Sequence, residues 1–124
     1  MLFIDANAIL RYLLKDNIEM AAKVCELLDN AEVNVRHEVI AEVVYVLDKV
    51  YLLPRNEIAE GIKIFMSLPN VETQSEELLL FALKTYADTN IDFVDSLLYG
   101  LAAIYKHTVF TFDKKLNFMI NKLP

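Results

Sequence analysis

The sequence predicts an α/β fold in which a short parallel sheet is flanked by helices. Three observations carry that expectation. Short apolar runs alternate along the chain with amphipathic helical stretches. The length, 124 residues, suits one domain with one core. Only two glycines and three prolines punctuate the chain, with no linker, repeat or low-complexity tract, so residues 1–124 are expected to form a single domain.

Residues 2–5 read as a short buried strand. Helical spacing follows from Ala8 to Leu14 and again from Ile18 to Leu28. Glu32–Val35 is the second strand candidate. His37–Tyr51 is expected to be helical, with Val39, Ile40, Val43, Val46, Leu47 and Val50 on one stripe. Leu53-Pro54 ends it, and Pro54 suits the first turn of the next helix, which carries Ile58, Ile62, Phe65 and Met66. Leu68-Pro69 stops that helix and Asn70–Thr73 is a third strand. Ser75 and then Glu77–Ala87 give another helix, Asp92–Tyr105 a further one, and Thr108–Thr111 a fourth strand. Asp113 opens a short last helix, Lys114–Met119. Crossovers between parallel strands are expected to be right-handed.

Composition bounds the function classes. Eighteen acids against twelve bases give a net charge of −6, which is not the footprint of sequence-independent nucleic-acid binding and suits a chain that gathers carboxylates around a cation. The hydrophobic fraction is 56%, yet no apolar run reaches the roughly 18 residues of a membrane span. No signal peptide is visible. The lone cysteine, Cys25, sits in a helical pattern with Ala21, Val24 and Leu28 and reads as core filling. A reducing, cytoplasmic setting is the expectation.

Four acids stand out. Asp5 ends the first strand, and Asp113 comes two residues after "TVFT". Open parallel sheets bind ligands beyond the carboxyl ends of their strands, so both carboxylates are expected at one edge. At 100° per residue, Glu42 lies about 60° from Val39 and about 40° from Val46, at the stripe's margin, and is expected to be half buried. Glu38, one turn earlier, is expected in solvent. Asp95 borders Leu98 and Ala102 in the first turn of its helix, where the dipole favours an anion. Each acid also has a plain structural reading. Asp5 and Asp113 suit N-caps, Asp92 with Asp95 is close to a capping box, and Glu42 suits a rim. Four crowded carboxylates repel and raise one another's pKa. A divalent cation relieves that, and oxygen-only ligands select Mg²⁺ or Mn²⁺. His37 and His107 stand alone, and no phosphate-binding glycine loop or G-x-S-x-G elbow is present.

The stretches "FIDANAILRYLL", "VRHEVIAEVVYVLDKVYLLPRNEIAEGI", "DFVDSLLYGLA" and "VFTFDKKL", in that order and at suitable spacings, resemble a PIN domain, and within that group a VapC-type toxin ribonuclease. The resemblance covers almost the whole chain. It implies a Rossmann-like, three-layer PIN fold with a sheet of four or five strands; the chain stops soon after the last helix, where the family's final edge strand would stand. The family's four acids fall on Asp5, Glu42, Asp95 and Asp113, its polar residue after the first acid on Asn7, and its Thr or Ser before the last acid on Thr111. It further implies Mg²⁺-dependent endoribonuclease activity and a cognate antitoxin that blocks the site.

On that reading Asp5, Asp95 and Asp113 hold Mg²⁺ (Mn²⁺ substituting), Glu42 ligates it or orients the attacking water, and Asn7 and Thr111 orient carboxylates behind them. Arg11, Lys15, Lys114 and Lys115 are the cations near the proposed edge; Tyr12 and Tyr99 read as core residues. A homodimer is expected, because the apolar content exceeds one small core and helices such as Pro54–Ser67 and Ser75–Ala87 can carry apolar residues outward. The alternative is a catalytically inactive PIN-like scaffold that binds protein or RNA, against which an intact acidic set argues. A phosphotransfer receiver or an aspartyl phosphatase would need an acid pair that "DANA" lacks.

Overall fold

Side chains start four of the seven helices. Asp5, Asn17, Ser75 and Asp113 each accept a hydrogen bond from the backbone N–H three residues on, which satisfies one of the donors a helix start leaves unpaired. The computed structural model describes residues 1–124. They form two compact units, Met1–Gln74 and Ser75–Pro124.

The first unit runs α1 (Ala6–Leu14), α2 (Ile18–Asn30), β1 (Val33–Val35), α3 (His37–Lys49), α4 (Arg55–Met66) and β2 (Val71–Thr73). β1 and β2 pair in parallel, Val33 opposite Val71 and Val35 opposite Thr73. The opening residues join this sheet through one bridge between Phe3 and Asn34. Ile4 N–H donates to the Asn34 carbonyl at 3.3 Å, and Asn34 N–H to the Leu2 carbonyl at 2.7 Å. Strand side chains alternate between faces. Ile4, Val33, Val35 and Val71 are buried on one, while Phe3 and Glu72 are exposed and Asn34 half-buried on the other. α1 packs on α2 and α3, α3 on α4, and α4 on β2. Ile9, Ile40, Val43, Ile62 and Phe65 are fully buried among them.

The second unit is α5 (Glu76–Asp88), α6 (Phe93–Tyr105) and α7 (Lys114–Asn121). α5 and α6 form its core through Leu79, Ala82, Leu83, Tyr86, Phe93 and Ala102. Gly100 allows their close approach, since a Cβ there would lie 2.6 Å from Leu78 Cδ1 and 3.2 Å from Phe81 Cδ1. α7 packs on α6, and Leu116 is its buried residue.

All seven expected helices form, with His37–Tyr51 ending two residues early at Lys49. The sheet departs from expectation. It has two strands and a bridge rather than four or five strands, and Thr108–Thr111 forms no strand within its own unit. A strand is defined by its partner, and alternating apolar residues alone leave only an extended segment. The opening strand shrinks for the same reason: one neighbour, β1, is paired with it.

Candidate active site

Asp5 follows the bridged segment at the carboxyl end of the sheet, with extended φ of −94° and ψ of 173°. Its Oδ1 accepts from Ala8 N–H at 2.9 Å. The carboxylate is exposed, and capping uses one of its two oxygens. Asn7 is exposed in the same first turn. The cap that could have explained Asp5 away does form, but it does not fill the group.

Glu42 is exposed rather than half buried. The buried stripe of α3 is Ile40, Val43, Val44 and Leu47, whose centre lies roughly 150° around the helix from Glu42. Val39 and Val46 only flank it, and Val50 is 65% exposed. Counting those three valines into the stripe is what placed Glu42 at its margin. Glu38, expected in solvent, is exposed and pairs with Arg36 at 3.2 Å.

Asp95 and Asp113 both lie in the second unit. Asp95 stands in the first turn of α6 and is half-buried. The capping box suggested by Asp92 and Asp95 does not form: Asp92 makes no side-chain cap bond, and the Ser96 hydroxyl donates to the Asp92 carbonyl at 3.0 Å instead. Burial, then Asp113, then Asp92 push the Asp95 carboxyl above its ordinary value. Burial and like charge disfavour the ionised form, opposite in sense to the helix dipole. Asp92 thus belongs to the charge cluster. The i, i+3 spacing that puts it on Asp95's face was the sequence signal for it.

Asp113 caps α7, its Oδ1 accepting from Leu116 N–H at 2.8 Å. Thr111 shapes this corner from both of its oxygens. Its hydroxyl accepts from Asp113 N–H at 3.0 Å, and its carbonyl accepts from the Asn117 side-chain amide at 2.8 Å. Asn117 was missed in the sequence; its signal is the i+4 spacing from Asp113, which turns it back over the start of α7.

The four acids divide two and two. Asp5 and Glu42 belong to the first unit, Asp95 and Asp113 to the second. Neither unit gathers three His, Cys, Asp or Glu side chains closely enough to hold a metal ion. A cavity of about 190 Å³, lined by Met1, Leu2, Glu32, Val33, Asn34 and Glu72, lies at the amino end of the strands, and no candidate acid lines it.

A family model, the PIN domain, matches residues 2–119. The chain belongs to the PIN domain family. The match runs through both units and all four acids, and PIN domains are generally nucleases that use divalent metals. No curated protein and no solved structure matches the chain. For this PIN domain the donor chemistry fits a hard cation: Asp95 and Asp113 offer only oxygen, and their mutual repulsion is what a cation relieves. Mg²⁺ commonly takes one or two carboxylates and keeps several waters, so this pair fits it without a third acid.

Proposed function

We propose that this PIN domain is a Mg²⁺-dependent endoribonuclease, the toxin of a type II toxin–antitoxin pair. The observation that carries the reading is Asp95. Its carboxyl is partly buried beside two other aspartates, and no hydrogen-bonded cap comes of the arrangement. A structural role gives no return on that repulsion, whereas a cation site does.

Asp95 and Asp113 would hold the ion, with Asp5 and Glu42 as the acids the family resemblance adds. Bound there, Mg²⁺ supplies a water of lowered pKa and neutralises charge on the phosphate. The chain's own residues do the rest. Thr111 and the cap to Leu116 fix the backbone under Asp113, and Asn7 stands beside Asp5. Glu42, exposed on α3, is the acid the family resemblance offers to accept a proton from the attacking water. The water oxygen bonds to phosphorus as one P–O ester bond breaks, and the leaving alcohol takes up a proton.

Apolar residues exposed on α3, α4 and the loop between them support a protein partner. Tyr45 is 63%, Leu52 78% and Ile64 56% exposed, and surfaces of this kind mark interaction sites. A homodimer and an antitoxin segment are the partners we assign to them. Of the two helices expected to carry apolar residues outward, α4 does so through Ile64, while α5 exposes no large apolar side chain. No helix is long and apolar enough to cross a membrane.

The test is RNA cleavage by purified protein in Mg²⁺ and in EDTA, with Asp113→Asn alongside. Asn caps a helix about as well as Asp, so fold is preserved while charge is lost. Cleavage that needs Mg²⁺ and falls at least about tenfold in the variant is expected. Wild-type cleavage by Asp113→Asn in limiting Mg²⁺ would end the mechanism.

A further inference from the structure

Three hydrogen bonds tie residues 111–117 into one turn, and all of it lies in the second unit. The Thr111 hydroxyl accepts from Asp113 N–H at 3.0 Å. Asp113 Oδ1 accepts from Leu116 N–H at 2.8 Å. The Asn117 side-chain amide donates to the Thr111 carbonyl at 2.8 Å. The first two are a local turn and a cap, which a helix start calls for in any case. The third is not. Asn117 stands where the helix ladder has already begun, and its own backbone N–H is taken by the Asp113 carbonyl at 3.0 Å. The helix therefore has no use for the side-chain amide. Asparagine is also a poor helix former, and one net side-chain hydrogen bond does little more than offset that deficit. What the bond supplies is geometry: it ties the chain entering the corner to the helix leaving it.

We infer that Asn117 is a positioning residue for the cation site: its amide holds the Thr111 carbonyl against α7 and so fixes the direction in which Asp113 presents its second carboxylate oxygen. The role rests on the reading of Asp95 and Asp113 as the ion's ligands. Oδ1 of Asp113 is committed to the cap, so Oδ2 is the oxygen left to meet a cation. A carboxylate is planar. With Oδ1 pinned and the backbone before Asp113 held, the direction of Oδ2 is set. The charge of Asp113 already reaches the Asp95 carboxyl, and α7 packs on α6. A shift of the corner therefore changes the separation of the two carboxylates. Mg²⁺ is sensitive to such a shift, because it demands near-ideal octahedral geometry at about 2.0–2.1 Å. Groups that orient ligands from behind typically change metal affinity about 10–100-fold when removed. Asn117 acts in that way, through Thr111 and Asp113.

Calorimetry with Mn²⁺ and no RNA, on the full chain, reads the ion site directly. Asn117→Leu keeps the side chain's size and removes the donor; Asn117→Ala is the second variant, should leucine not be accommodated. Either is expected to weaken Mn²⁺ binding about tenfold, to melt in EDTA within about 2 °C of wild type, and to cleave RNA within about twofold of wild type once Mn²⁺ saturates. A merely structural role would instead lower melting, and would lower cleavage equally at every Mn²⁺ concentration; that result overturns the assignment. Thr111→Val removes the acceptor for Asp113 N–H. Because both residues hold one turn, the double variant Thr111→Val/Asn117→Leu is expected to lose less affinity than the product of the two single losses. A loss equal to that product puts Asn117 outside the path to Asp113 and also overturns the assignment. The two readings fail differently. Wild type that binds no Mn²⁺ removes the cation site and the part of Asn117 in it together. Wild-type binding that both Asn117 variants retain in full removes the part of Asn117 and keeps the site.

Discussion

At Asp5 an apolar run turns into a helix, and at Asp113 another does. "LFIDANAIL" and "VFTFDKKLN" share the pattern of apolar residues, an aspartate and an amphipathic helix. Both aspartates cap in the same way, at 2.9 Å to Ala8 N–H and 2.8 Å to Leu116 N–H. The runs before them differ. Ile4 is 5% exposed and its N–H reaches Asn34 in the sheet, whereas Phe110 and Phe112 lie in no strand of their own unit. Capping needs only three residues of neighbouring chain, so it follows from the sequence wherever the aspartate stands. Strand formation needs a partner from elsewhere, so identical patterns have different outcomes.

The strongest way to break the comparison is to remove what anchors each corner. Leu116→Ala empties the one buried position of α7, and Ile9→Ala empties a fully buried position of α1. Each is expected to cost about 2–5 kcal/mol in chemical denaturation. Amide exchange should separate them, with Leu116→Ala releasing Asn117 N–H and leaving the amides of α1 protected.

Asp5→Asn and Asp113→Asn sharpen the likeness. Both should leave stability within a few tenths of a kcal/mol, while Mg²⁺-dependent cleavage falls about tenfold or more in each. Glu38→Gln, at an exposed position one turn from Glu42, should alter neither. Asp5→Ala and Asp113→Ala should each cost about 1 kcal/mol, because alanine cannot cap; a clear inequality between them would show that the sheet supports one corner's cap and not the other's.

The smallest expected effect is a gain. The folded-state pKa of Asp95 is raised, so the folded chain binds this proton more tightly than the unfolded chain does. Stability therefore falls as pH rises from the ordinary carboxylate value through the raised one, and the penalty persists at neutral pH. Metal-free Asp95→Asn should melt slightly higher than wild type at pH 7, with the difference vanishing below the ordinary carboxylate value. Saturating Mg²⁺ should raise wild-type melting and cancel the variant's advantage. A variant that melts lower at pH 7 without metal would show that Asp95 is structural.

What the sequence determined by itself was everything that depends on near neighbours. The helices at Ile18–Asn30, Arg55–Met66 and Phe93–Tyr105 follow from apolar periodicity and from stop signals such as Pro54 and Pro69. The caps at Asp5 and Asp113 follow from residue type and spacing, and the acids at both corners were legible for the same reason. Tertiary structure decided what depends on distant partners. It set which valines of α3 are core, and so left Glu42 in solvent. It brought Asp113 to bear on Asp95, a neighbour that helical spacing does not supply. It paired the parallel strands β1 and β2 but left "TVFT" without a strand partner in its own unit. Helix contacts close within four residues, whereas a strand edge and a buried charge are defined by groups that the chain brings from tens of residues away.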